Sequence, residues 1–196
     1  MTPIRAVCVF CGSQPGAKPA YLQAARELGA QLARRDWNVV YGGGHVGMMG
    51  ALADSTLAAG GRVIGVIPEH LMRPEVAHQA LTELLIVDSM HTRKRIMASR
   101  SDAFIVLPGG YGTFEEMFEM VTWRQLQLHA KPVGLINVDG YFDHLLAFLQ
   151  HASEQEFIRP QHRNLLSVGA STSSLLEQMA RQAAAVDSVA GDLDRS

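Results

Sequence analysis

Two carboxylates, Glu115 and Glu116, follow directly on the run Leu107-Pro108-Gly109-Gly110-Tyr111-Gly112-Thr113-Phe114. Before the run comes Ala103-Phe104-Ile105-Val106-Leu107, which reads as a buried strand, and after it a helical pattern begins near Thr113. The glycines therefore sit on a strand-to-helix turn. Bare backbone N–H groups and the positive end of the helix dipole make such a turn attractive to a phosphate. We expect the phosphate on the N–H groups of Gly110, Tyr111, Gly112 and Thr113, with Gly109 in the same turn and the Thr113 hydroxyl adding a donor. Acids beside an anion site are odd electrostatics unless they act on another part of the same ligand. On a helix, Glu115 and Glu116 point about 100° apart, so both need not face one atom. A plainer reading makes Thr113 an N-cap, Glu116 the other half of a capping box and Glu115 a solvated first-turn acid.

A second constellation is Met90-His91-Thr92-Arg93-Lys94-Arg95. Three cations open a helix whose dipole disfavours them by a few tenths of a kcal/mol each. Either they are solvated, or Arg93 and Lys94 reach across the sheet edge towards the acids or an anionic ligand. The planar fork of Arg93 suits bidentate contacts. Glu75 lies beside the Pro-bounded loop Pro68–Pro74.

Other motifs carry less. Gly42-x-Gly44-x-x-Gly47 matches the dinucleotide fingerprint literally. It follows the second strand rather than the first, and the next strand has no acid at its end. No G-x-x-x-x-G-K-[ST] loop is present, so both an NAD-linked oxidoreductase and a P-loop phosphotransferase are disfavoured. Cys8 and Cys11 are spaced C-x-x-C but lie in and just past a strand, which reads as ordinary buried thiols. The eight histidines show no metal spacing, and no metal or cofactor is expected.

The chain has 196 residues, 47% of them hydrophobic, enough for one domain with a sizeable core. Net charge is −2 with no basic face, which argues against nucleic acid. No apolar run has membrane-spanning length, and Met1 to Phe10 is too short and strand-like for a signal peptide. A reducing cytoplasm is the default compartment.

These residues need elements to position them. Strands are expected at Ala6–Phe10, Asn38–Tyr41, Arg62–Ile67, Glu83–Val87, Ala103–Leu107, Pro132–Asn137 and Leu166–Val168. Helices are expected at Ala20–Arg34, Gly47–Ala59, Met90–Ser99, Thr113–Leu128, Tyr141–Gln150 and Ser171–Ala184. Continuous apolar strands alternating with helices give an α/β, Rossmann-like doubly wound parallel sheet with helices on both faces, in a single domain over 1–185. The segment 186–196 loses its periodicity and reads as a frayed tail. All strand-to-helix loops should emerge on one sheet edge, so Ser13, Gly43 and Gly44 join the Pro108–Thr113 loop as candidate substrate contacts. The helix from Thr113 is apolar on too much of its surface: Phe114, Met117, Phe118 and Val121 form a stripe that Met120, Trp123 and Leu126–Leu128 widen. That excess could lie under another helix or, as the favoured reading, against a twin subunit through an isologous contact.

At Pro108-Gly109-Gly110-Tyr111-Gly112-Thr113-Phe114-Glu115-Glu116 the chain resembles the LOG ("Lonely Guy") family, also labelled lysine-decarboxylase-like, whose signature is P-G-G-x-G-T-x-x-E. Phe10-Cys11-Gly12-Ser13, Tyr41-Gly42-Gly43-Gly44, Met48-Met49-Gly50, Met90-His91-x-Arg93-Lys94, Ser101-Asp102-Ala103-Phe104, Thr122-Trp123 and Lys131-Pro132-Val133-Gly134 also look like family text, in family order. The resemblance implies a Rossmann-like homodimer that hydrolyses the N-glycosidic bond of a nucleoside 5′-monophosphate, a cytokinin riboside monophosphate or AMP, to free base and ribose 5-phosphate. It implies Glu116 and Arg93 as catalytic residues. It implies Glu75, Lys94, Glu115 (on the ribose hydroxyls) and Thr122 as substrate contacts. Thr122 read without the resemblance is a residue that bonds back within its helix. A decarboxylase fits badly: none of the three lysines, Lys18, Lys94 and Lys131, comes with an evident pyridoxal-phosphate site. A non-catalytic nucleotide carrier or sensor is the alternative, and the presence of both Glu116 and Arg93 argues against it.

Overall fold

The computed structural model describes residues 4–72 and 77–193, with side chains as far as 185. Seven strands form one sheet: β1 (Ala6–Phe10), β2 (Asn38–Tyr41), β3 (Val63–Pro68), β4 (Glu83–Val87), β5 (Ala103–Val106), β6 (Val133–Ile136) and β7 (Leu166–Gly169). Their order across the sheet is β4-β3-β2-β1-β5-β6-β7, with every pairing parallel. The expected fold class is the one observed.

Alternation along each strand explains the two layers. Val7 and Val9 of β1 point to one face with Ala103 and Ile105 of β5. There α1 (Pro19–Arg34), α2 (Gly47–Ala58) and α6 (Thr172–Leu193) pack over them. Ala6, Cys8 and Phe10 point to the other face with Phe104 and Val106, under α3 (Met90–Ser99), α4 (Tyr111–Gln125) and α5 (Asp143–Glu154). Both faces are covered, which is why the central strands read as unbroken apolar runs. Pro19 at the first helical position starts α1.

Most boundaries match expectation or differ from it by one or two residues. Two differences matter. Helix α4 begins at Tyr111, not Thr113, and ends at Gln125, leaving Leu126 and Leu128 exposed. Helix α6 continues to Leu193, well past the point where its apolar periodicity fades. The described helices include none long and apolar enough to cross a membrane.

The strand order reverses between β1 and β5. From β1 the chain winds outward through β2, β3 and β4, then returns to β5 and winds the other way. Loops leaving β1 and β5 thus diverge to opposite faces and open a crevice past the carboxyl ends, where ligands of such folds bind.

Close helix packing over β1 and β2 depends on Gly29. A Cβ there would lie 2.5 Å from the Leu52 carbonyl oxygen and 2.7 Å from the Thr56 hydroxyl. Gly29→Ala should force α1 and α2 apart and cost roughly 1–3 kcal/mol, read as a lower midpoint in urea unfolding.

Candidate active site

The crevice is floored by a backbone contact between its two walls. The Gly12 N–H donates to the Pro108 carbonyl at 3.0 Å, and the Leu107 N–H to the Phe10 carbonyl at 2.9 Å. Gly109 is squeezed in this junction: a Cβ there would meet the Thr113 hydroxyl at 2.1 Å and the Gly12 nitrogen at 2.9 Å. Gly110 is the N-cap of α4. The first helical bond runs from the Phe114 N–H to the Gly110 carbonyl at 3.0 Å. The N–H groups of Tyr111, Gly112 and Thr113 precede that bond and have no helical acceptor. Among the described residues, a Cβ on Gly110 or Gly112 would touch nothing within 4 Å, so none of them fills the space before the helix start. Tyr111, 94% exposed, projects from the rim.

The capping-box reading of Thr113 and Glu116 is overturned. No side chain caps α4, and Thr113 is the third helical residue, buried beneath Gly109. Because the helix starts two residues early, Glu116 is turned inward instead of reaching back to the cap. It is 8% exposed, and among the described residues no donor bonds its carboxylate.

Arg93 reaches it from α3. The guanidinium is held by two carbonyls, one within β3 and one just past β2: Nε donates to Val66 at 3.0 Å and Nη2 to Gly42 at 3.1 Å. The remaining nitrogen, Nη1, stands 3.9 Å from Glu116 Oε1. Helix α3 is capped by Ser89, whose hydroxyl accepts from the Thr92 N–H at 3.2 Å. The solvated-cation reading therefore fails for Arg93 and for Lys94, which is 8% exposed. Lys94 donates to Glu115 and, at 3.1 Å, to Glu119. Burial lowers its affinity for a proton, but these two acids outweigh that and raise its pKa.

Burial is also the main influence on Glu116, pushing its pKa from 4.5 up to about 7. The Arg93 charge pulls the other way, and Glu115 adds a further push upward. Glu116 also faces the two buried thiols, and together with their own burial it raises both Cys8 and Cys11. Thiols held protonated in this way are poor nucleophiles, in keeping with a structural role.

The other expected contacts are placed as follows. Ser13 is exposed on the β1–α1 loop. Gly43 takes a positive φ of 79°, and its carbonyl accepts from the His78 N–H at 2.9 Å. The Gly44 carbonyl accepts from the Tyr41 hydroxyl at 3.0 Å. These two glycines shape the β2–α2 turn that carries Gly42. Thr122 is not in the crevice. It lies six residues beyond Glu116, about 9 Å along the helix, and is exposed in a groove with Phe118, Val121, Leu146 and Leu166. Its side chain makes no bond back within α4. Glu75 lies outside the described residues. Sequence reasoning missed two members. Glu119 shares a helical face with Glu115 at i+4, a spacing that could have flagged it. Tyr141 donates its hydroxyl to the Gly109 carbonyl at 2.5 Å from the loop after β6, on the same sheet edge.

A family profile described as "Possible lysine decarboxylase" matches residues 49–179. A probable cytokinin riboside 5′-monophosphate phosphoribohydrolase of Oryza sativa subsp. japonica is 52% identical over 175 residues, 89% of this chain and 77% of its own. A cytokinin riboside 5′-monophosphate phosphoribohydrolase of Arabidopsis thaliana is 47% identical over 173 residues, 88% of this chain and 81% of its own. The chain belongs to the LOG family. Among solved structures, the molybdenum cofactor binding protein of Rippkaea orientalis superposes with a TM-score of 0.69 over 91% of this chain and 96% of its own. At 23% identity, that likeness shows the Rossmann-like fold of this LOG protein alone.

Two outcomes follow from this geometry. A Cβ on Gly42 would fall 2.0 Å from Arg93 Nη2. Because the clash is with a movable side-chain end, Gly42→Ala should fold yet displace the guanidinium, lowering kcat roughly a hundredfold. The second concerns pH. Between about 4.5 and 7 the folded chain keeps a proton on Glu116 that the unfolded chain has released. Stability from this group is therefore complete below 4.5, falls as pH rises to 7, and levels off above it. Glu116→Gln removes that loss, so its melting temperature should exceed wild type by more at pH 8 than at pH 5, the underlying gain in stability being on the order of 3 kcal/mol at most.

Proposed function

We propose that this LOG protein hydrolyses the N-glycosidic bond of purine and cytokinin nucleoside 5′-monophosphates, releasing free base and ribose 5-phosphate. The observation that carries this reading is a buried carboxylate with no hydrogen-bond donor among the described residues, 3.9 Å from a fixed guanidinium, one helical turn inside an uncapped helix start. The names of its close relatives point to the same chemistry.

The phosphate rests on the N–H groups of Gly110, Tyr111, Gly112 and Thr113. Glu116 then lies a helical turn deeper, about 5 Å along the axis, where a ribose attached to that phosphate would sit. As the bond between C1′ and the base nitrogen lengthens, the sugar gains cationic character. Ionised Glu116 stabilises that charge and takes a proton from the water whose oxygen bonds to C1′. The electron pair of the broken bond leaves with the base, which takes up a proton. Arg93, fixed by two carbonyls and so needing no reorganisation, offsets the negative charge in the departing base. Glu115 contacts the ribose hydroxyls, with Lys94 holding it in place. Phosphate binding supplies energy that positions the sugar, so monophosphates should react much faster than free nucleosides.

The working unit is a homodimer. Phe118, 39% exposed, and Val168, 43% exposed, line a groove of about 280 Å³ between α4, α5 and β7, and Thr122 opens into it. A twin subunit seated there would cover this apolar surface and give Thr122 a ligand-side role that the isolated chain does not. Light scattering should return twice the chain mass of 21.3 kDa.

Incubation with AMP and with isopentenyladenosine monophosphate, followed by chromatography, tests the activity. Free adenine or isopentenyladenine should appear, and adenosine should be a far poorer substrate. Glu116→Gln should bind AMP yet release base at least about a hundredfold more slowly, and Arg93→Ala should lose most turnover. Wild-type rates in Glu116→Gln would remove the carboxylate from the chemistry.

A further inference from the structure

The peptide between Gly109 and Gly110 is flanked by two glycines, and its neighbours are fixed. On one side the Pro108 carbonyl is bonded to the Gly12 N–H at 3.0 Å; on the other the Gly110 carbonyl is bonded to the Phe114 N–H at 3.0 Å. The central peptide can rotate between these anchors by opposite changes in two glycine torsions, which meet no Cβ. Its carbonyl has one partner among the described residues, the Tyr141 hydroxyl at 2.5 Å. In a trans peptide the carbonyl and the following N–H point to opposite sides. A carbonyl drawn to Tyr141 therefore turns the Gly110 N–H away from Tyr141, towards the open space before the helix.

We propose that Tyr141 is a positioning residue for phosphate recognition: its hydroxyl holds the Gly109–Gly110 peptide in the one orientation that aims the Gly110 N–H at the anion. This rests on the phosphate site proposed above. A flipped peptide would instead present a carbonyl dipole, negative end first, to a dianion. Both glycines are needed for other reasons, Gly109 because a side chain would strike Thr113 and Gly12, and Gly110 because the phosphate must approach. The orientation is thus left for a neighbour to set.

Tyr141 is built to do this. It follows a tight turn in which Asp139 and Gly140 take positive φ angles of 51° and 70°. The turn is tied to the β1–α1 loop by the Lys18–Asp139 ion pair at 2.5 Å. The Tyr141 ring packs edge-on against Phe142 at 4.8 Å and Tyr21 at 5.6 Å, fixing the direction of its hydroxyl. The Asn137 side chain accepts from the Phe142 N–H at 2.8 Å and secures the next residue.

Tyr141→Phe keeps the ring contacts and removes only the hydroxyl. The test compares wild type and variant in kcat/KM for AMP, kcat/KM for adenosine and inhibition by ribose 5-phosphate. The ratio of the two kcat/KM values should fall about tenfold in the variant, and inhibition by ribose 5-phosphate should weaken by a similar factor, as expected for one misdirected donor to a dianion. An unchanged ratio, or equal losses for both substrates, would overturn the role of Tyr141 while leaving the phosphate site standing. A wild-type enzyme that prefers neither substrate would overturn the phosphate site itself, and this inference with it.

Discussion

A guanidinium held by two backbone carbonyls beside a largely buried carboxylate is the pairing on which the candidate site depends. Arg93 is bonded to one carbonyl within β3 and one just past β2, so its position follows that of the sheet. Glu116 is largely shielded from water by its burial, and among the described residues no donor bonds its carboxylate, so Arg93 is the charge that most favours its ionisation. Burial of a carboxylate in this way costs stability, and the rest of the crevice is arranged to keep it in place. Gly42 gives up its side chain so that the guanidinium can lie against the backbone. Lys94 holds Glu115 and Glu119 and keeps two further negative charges from being uncompensated near Glu116.

Helix α4 serves three purposes at once. Its first turn presents N–H groups, its second carries the acids, and its outer face is apolar. These demands share one helix because α4 leaves β5 at the point where the strand order reverses. A helix there has its start at the crevice and its length across the sheet. The buried Met117 and Met120 meet the sheet, and Glu116 fits into the gap where β1 ends.

Much of this was legible in the chain. Apolar runs marked all seven strands, and the residues Pro108 to Glu116 marked the strand-to-helix turn that opens on the crevice. Arg93 and Lys94 were legible from an electrostatic oddity, cations at a helix start, which the structure resolves by pairing them with backbone carbonyls and acids. The start of α4 was misread because Thr113 followed by Glu116 imitates a cap. The tight junction of Gly109 with Gly12 is a long-range contact that no local pattern encodes, and it moves the helix start forward. Tyr141 was invisible for a related reason: a tyrosine after a turn says nothing until β6 is known to lie beside β5. Thr122 was legible only through family likeness, and in a single chain it lies apart from the crevice.

The crevice straddles the seam between β1 and β5, strands separated by most of the first half of the chain. Loop closure over that span is slow compared with the local pairing of β1 with β2 or β5 with β6. Neither half of the sheet holds both the glycine-rich helix start and the carbonyls that anchor Arg93. A nascent or partly assembled chain therefore lacks the proposed site, which is complete only when the two wings of the sheet have zipped together.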